Sequence, residues 1–127
     1  MRAVDTNVLV RLVTGDDRQQ LESAEEFVRP GAWVSLRVLA ETIWVLDSVY
    51  ERKAPQLIRS LEMLLDHRNL ALQDPDVVAA ALEQYRKKPT LGFSDCLVLE
   101  IARRAGNIPL GTFDRNLAKL PDTQLLK

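Results

Sequence analysis

Four acidic residues, Asp5, Glu41, Asp95 and Asp114, stand where a carboxylate has more to do than meet solvent. Asp5 closes a short apolar start, Asp95 enters the first turn of a helical pattern, and Asp114 closely follows an apolar segment. Glu41 and Asp47 are the only acids between Ser35 and Tyr50. A carboxylate on so apolar a helix is costly to bury unless something neutralises it, and a bound cation would do so. Carboxylates without histidine or cysteine beside them form a hard oxygen-ligand set. Such a set selects Mg²⁺, with Mn²⁺ as a substitute, over softer transition metals. Zinc chemistry is not indicated, because His67 is the only histidine and Cys96 the only cysteine. Without metal, crowded carboxylates disfavour joint ionisation, so at least one should hold its proton above the usual range. Metal binding should then release protons and stabilise the fold.

These acids are positioned by short strands alternating with helices. Arg2 to Asp5 reads as a strand, followed at once by a helix from about Thr6 that Gly15 stops. A second helix spans about Asp17 to Arg29, before Pro30-Gly31, and Trp33-Val34 forms a second strand. Ser35 is placed to cap a long helix whose Leu36, Leu39, Ile43, Trp44, Leu46 and Val49 cover nearly its whole circumference, predicting that it is largely buried. Pro55 opens an amphipathic helix that ends near Asn69, and Leu70 to Leu72 is a third strand. Asp74-Pro75 starts a helix to about Lys87, and Ser94 is expected to cap another over Asp95 to Ala105, ended by Gly106. Ile108 to Thr112 makes a fourth strand; after a short helical piece through Leu117 and Leu120, Thr123 to Leu126 adds a final one. This alternation implies an α/β fold in three α/β/α layers, with a mostly parallel central sheet. Ligands in such folds gather beyond the carboxyl ends of the strands, where Asp5, Asp95 and Asp114 fall, with Glu41 joining them from the long helix.

A length of 127 residues fits a single domain over 1–127, and 46% apolar with 28% charged residues is ordinary globular composition. No segment approaches a membrane span. Asp5 and Arg11 interrupt the apolar run that a secretory signal requires, so a cytoplasmic protein is expected. The lone Cys96 excludes an intrachain disulfide and reads as a small buried apolar residue. A net charge of −1 excludes a strongly basic nucleic-acid module. Between Arg86 and Lys119, however, seven basic residues (Arg86, Lys87, Lys88, Arg103, Arg104, Arg115, Lys119) accompany three acids, Asp95, Glu100 and Asp114. With two of those acids on a metal, this segment would form a positive rim for backbone phosphates. Asp16-Asp17, just past Gly15, reads as a helix start, and His67 as a surface residue favouring a helix C-terminus.

Val4-Asp5-Thr6-Asn7, the isolated Glu41, Phe93-Ser94-Asp95-Cys96-Leu97-Val98 and Gly111-Thr112-Phe113-Asp114-Arg115 together resemble the PIN-domain nucleases over essentially the whole chain. Size and the Asp-Thr-Asn start are most similar to VapC-type toxins, the ribonuclease halves of type II toxin–antitoxin pairs. The resemblance implies a PIN-like fold in which Asp5, Glu41, Asp95 and Asp114 form the acidic metal-binding cluster, Asp5 and Asp95 foremost, with Asn7 and Thr112 as polar supports. It implies Mg²⁺-dependent endonucleolytic cleavage of RNA by an activated water, leaving a 5′-phosphate and a 3′-hydroxyl. It also implies a small antitoxin partner and a homodimer. Trp44, Val45, Val49, Tyr50 and the helix from Ala54 to Asp66 offer surfaces for either, set against ordinary core packing. Many relatives carry a further acid shortly after the Phe-Asp pair where this chain has Asn116, which leaves the metal count open.

Three other readings compete. One is a PIN-domain RNA-processing nuclease outside any toxin–antitoxin pair, and another is a catalytically silent PIN module that binds RNA or protein, against which the four intact acids argue. The third is a receiver-like Mg²⁺-binding signalling domain. It needs a phosphoacceptor Asp ending the third strand, where Leu70-Ala71-Leu72 leads only to Gln73-Asp74-Pro75.

Overall fold

The computed structural model describes all residues, Met1–Lys127, as two compact units, Met1–Pro75 and Asp76–Lys127. No helix is long and apolar enough to cross a membrane.

The first unit runs β1 (Arg2–Ala3), α1 (Thr6–Thr14), α2 (Arg18–Val28), β2 (Ala32–Val34), α3 (Leu36–Ser48), α4 (Ala54–Asp66) and β3 (Leu70–Leu72). Its strands pair in parallel in the order β1-β2-β3, with Ala3 opposite Trp33 and Val34 opposite Leu72. The Val4 N–H extends the first ladder by donating to the Trp33 carbonyl at 3.1 Å. The β1 and β2 chains therefore leave the sheet side by side, and each turns directly into a helix. Gly15, at φ 60°, ends α1 in the left-handed conformation that glycine adopts without strain. Asp17 caps α2 by accepting from Gln20 N, and Ser35 caps α3 by accepting from Val38 N at 3.1 Å. Leu9, Val28, Val34, Leu39, Leu46, Leu61 and Leu64 are fully buried and form the core.

The expected burial of the long helix is corrected. Along α3 only Leu39, Thr42, Ile43 and Leu46 are buried, a stripe at helical spacing, while Trp44 is 61% exposed and Val49, its C-cap, 65%. An apolar circumference does not enclose a helix when neighbouring elements cover one side of it. Core packing is thereby excluded for Trp44 and Val49.

The second unit contains α5 (Pro75–Lys87, beginning at the boundary), a 3₁₀ turn at Pro89–Leu91, α6 (Phe93–Ala105), β4 (Leu110–Thr112), a 3₁₀ turn at Leu117–Lys119 and β5 (Thr123–Leu125). The strands β4 and β5 pair in parallel, so every ladder in the molecule is parallel and the α/β class is as expected. They form a separate two-stranded ladder rather than joining the first three. The β4 strand begins two residues later than expected, after Ile108-Pro109, because proline cannot donate to a ladder. Ser94 is not a cap: α6 starts at Phe93, and its N-cap is Gly92 at φ 80°, ψ 146°, a conformation suited to glycine. Buried Val78, Leu82, Cys96 and Leu99 form this unit's core, with Tyr85 and Phe93 packed edge to face at 6.2 Å.

Candidate functional site

The acids of the first unit lie where β1 and β2 feed their helices. Asp5 follows β1 and occupies the N-cap of α1 with extended backbone (φ −100°, ψ −177°). At that position an aspartate normally spends its carboxylate on the helix N–H groups. Here it makes no cap hydrogen bond and is exposed. Asp5 thus places a negative group, free of internal partners, at the positive end of α1. Glu41 projects from the second turn of α3, and its Oε1 accepts a 2.5 Å hydrogen bond from the hydroxyl of Thr6, the first residue of α1. The residue next to Asp5 therefore orients Glu41. Arg37, one turn earlier on α3, reaches the other Glu41 oxygen at 4.0 Å.

The argument that singled out Glu41 as a buried charge is corrected, since its side chain is 48% exposed. What distinguishes it is the short bond to Thr6, which is itself buried. Sequence reasoning chose Asn7 as the polar support and passed over Thr6. Asn7 is exposed and lines a cleft of about 460 Å³ with Val8, Arg11, Gln20 and others between α1 and α2. The available signal was spacing: the first residue of a helix following a parallel strand faces the neighbouring strand's helix, and threonine there carries a donor.

In the second unit Asp95 is the third residue of α6, partly buried, and Asp114 follows β4. Burial, and secondarily the charge of Asp114, raise the Asp95 carboxyl above its ordinary pKa. The expected raised carboxyl pKa is thus found at Asp95, with burial rather than like charge as its main cause. Asp114 Oδ1 accepts from the N–H groups of Asn116 (2.8 Å) and Leu117 (3.1 Å), so it also caps the short turn after it. Thr112 Oγ accepts from the Asp114 backbone N–H at 3.0 Å, holding the backbone at Asp114 rather than its carboxylate. Asn116, which stands where many relatives carry an acid, is tied to Asp114 by that backbone bond and reaches the Thr90 hydroxyl through its amide at 3.3 Å.

The basic segment around these acids is less available than its composition implied. Arg103 is held by Glu100 at 2.6 Å and Asp122 at 3.0 Å, Arg104 pairs with Asp76, and Arg86 lies 3.5 Å from Glu83. Lys87, Arg115 and Lys119 are exposed. The remaining polar candidates are structural. Asp16 accepts from Tyr50 at 2.8 Å and pairs with Arg11, which lowers its pKa. The His67 ring accepts from Asn69 N through Nδ1, and Cys96 is fully buried, its thiol pushed up to about 11 by burial.

Carboxylates are hard donors of the kind that suit a divalent cation. Neither unit by itself groups three acidic, histidine or cysteine side chains into a ligand set. Each supplies two carboxylates. Comparison with curated proteins finds no match, and comparison with solved structures finds none either. The family model described as PIN domain matches residues 2–122, a span that runs through both units and includes all four acids. The chain therefore belongs to the PIN domain family, whose members are generally nucleases and typically use divalent metal ions.

Proposed function

We propose that the protein is a Mg²⁺-dependent endoribonuclease, with Mn²⁺ as a substitute metal, in which Asp5, Glu41, Asp95 and Asp114 act together. The observation that carries this reading is the family match over residues 2–122, in which Asp5, at a helix N-cap, keeps its carboxylate unspent. We read both units as parts of one nuclease domain, since the match runs over both.

Asp5 and Asp95 are the principal metal-holding groups, with Glu41 and Asp114 completing the charge. A divalent ion there supplies Lewis-acid polarisation of a scissile phosphate and an acidified water for in-line attack. Thr6 fixes the Glu41 carboxylate by donating its hydroxyl to Oε1, while Arg37 lies 4.0 Å from Oε2. The Asn116 and Leu117 N–H groups fix the Asp114 carboxylate, and the Thr112 hydroxyl oxygen accepts from the Asp114 backbone N–H. No side chain is required as nucleophile.

The Asp5-Thr6-Asn7 motif and the exposed Trp44 and Val49 favour the toxin half of a toxin–antitoxin pair, acting in the cytoplasm as a homodimer and restrained by a small antitoxin. The test is a metal-titrated cleavage assay on single-stranded RNA. The wild type should give product only with Mg²⁺ or Mn²⁺, while Asp5→Asn and Asp95→Asn should lose at least about 100-fold in rate with unchanged circular dichroism. Full activity in both variants would falsify the site. A small neighbouring gene whose product suppresses the activity on co-expression decides the toxin assignment, and its absence removes it.

A further inference from the structure

A second feature of the first unit takes no part in the acidic site. Between the end of α1 and the start of α4 lies a pocket of about 360 Å³, lined by Val13, Arg52, Gln56, Arg59, Ser60 and Met63. It holds two guanidinium groups and no carboxylate. Several other arginines of this unit are engaged: Arg2 stacks on Phe27, Arg11 is held by Asp16 and Tyr50, Arg18 faces Glu22, and Arg37 faces Glu41, while Arg29 and Arg68 stand exposed at the surface. Arg52 is half-buried, yet neither it nor Arg59 has an acidic partner. A cation partly withdrawn from water without a counter-charge is an incomplete arrangement that an anion would complete.

The local chemistry narrows the anion. Gln56 and Arg59 stand three residues apart on α4 and Arg52 immediately precedes its N-cap Lys53, so the three line one pocket at the α4 start, where the helix dipole favours an anion. Gln56 Oε1 is occupied by the Lys53 N–H at 2.9 Å, so its amide NH₂ is the part left to offer. Ser60 spends its hydroxyl proton on the Gln56 carbonyl at 3.0 Å. The pocket thus presents donors from Arg52, Gln56 and Arg59, two of them guanidinium groups, whose planar fork of N–H donors suits phosphate oxygens. Val13 and Met63 add an apolar floor suited to a ribose or base edge. Val13 also stands eight residues beyond Asp5 on the same helix, about 12 Å along its axis.

We propose that Arg52, Gln56 and Arg59 form a phosphate-binding site for the backbone of the RNA strand, anchoring it away from the point of cleavage. The proposal rests on the nuclease reading for its choice of RNA, and the following experiment separates the two. Binding of a labelled single-stranded RNA to the full chain is measured in EDTA, where cleavage is absent, across a salt series.

The double variant Arg52→Gln/Arg59→Gln should bind roughly tenfold more weakly, with a log–log salt slope shallower by about 0.7 for each phosphate released. The charge-retaining Arg52→Lys/Arg59→Lys should keep most of the slope, which a purely structural role for the arginines would not reproduce. Arg29→Gln/Arg68→Gln, exposed and outside the pocket, should leave it unchanged. An unaltered slope in the glutamine variant, with its circular dichroism intact, overturns the proposal. So does saturation of the pocket by inorganic phosphate, read from Arg Nε–H NMR shifts, without any shift on adding RNA. Should the protein bind RNA through these arginines but never cleave it, the phosphate site stands and the nuclease reading falls.

Discussion

At the scale of single residues, the acids divide by how their surroundings treat charge. Asp95 is the one whose ionisation the fold opposes, first by burial and then through Asp114. Its folded pKa lies above its unfolded one, so the folded state binds the proton more tightly. Stability contributed at low pH is therefore lost as pH rises through the ordinary carboxylate range. In metal-free protein at pH 7, Asp95→Asn should raise Tm by about 1–3 °C, because it removes a charge that the fold disfavours. Carboxyl NMR titration should show Asp95 titrating above the usual range, and Asp114→Asn should return it only part way, since burial persists. A fall in Tm for Asp95→Asn, or an ordinary Asp95 titration, contradicts this account.

Thr6 is the other residue that merits a variant. Thr6→Val keeps the shape and deletes the donor to Glu41. Because Glu41 is half in water, its lost bond is replaced by solvent, and Tm should move by less than about 2 °C. Cleavage should fall roughly 10-fold to 100-fold, the usual consequence of releasing an oriented metal-site carboxylate. Equal kcat for variant and wild type would leave Thr6 a packing residue only.

At the scale of elements, the positions of the acids follow from where helices start. Parallel pairing of β1 with β2 sends two chains into α1 and α3 side by side, which is what lets Thr6 meet Glu41. In the second unit Gly92 sets the start of α6 and hence the turn on which Asp95 stands. No atom obstructs a Cβ at Gly92, so the whole effect of Gly92→Ala is backbone strain at φ 80°, ψ 146°. We expect a loss of roughly 1–3 kcal/mol in chemical denaturation and a displaced Asp95 resonance. A neutral substitution would show that the helix start tolerates another conformation.

Element starts are also where sequence reading did best and worst. Ser35 was legible as a cap because a polar side chain at that position has one outstanding use, satisfying exposed N–H groups, whereas Asp17, read as a helix start, proves to be the cap itself. Ser94 misled for the same reason: it had the right chemistry, but a glycine two residues earlier could adopt the cap conformation that serine could not.

For the whole molecule, metal binding provides the clearest thermodynamic reading. If the four carboxylates hold a divalent ion in the folded protein alone, Mg²⁺ or Mn²⁺ at about 100 times its dissociation constant should stabilise by about 2.7 kcal/mol, and EDTA should reverse the shift. The rise in Tm should be smaller in Asp5→Asn and Asp95→Asn. An identical metal response in those variants would locate binding elsewhere.

The sequence by itself determined the α/β class, the parallel pairing and nearly every element. Those depend on local propensity, capping chemistry and apolar period, all of which are written in short windows of residues. Only the tertiary structure decided that α3 is buried along a single stripe, that Thr6 holds Glu41, and that Arg86, Arg103 and Arg104 are consumed by ion pairs. Each of those depends on which distant groups come to lie beside one another. Side-chain type specifies what a residue can bond, but only the folded chain determines which partner is within reach.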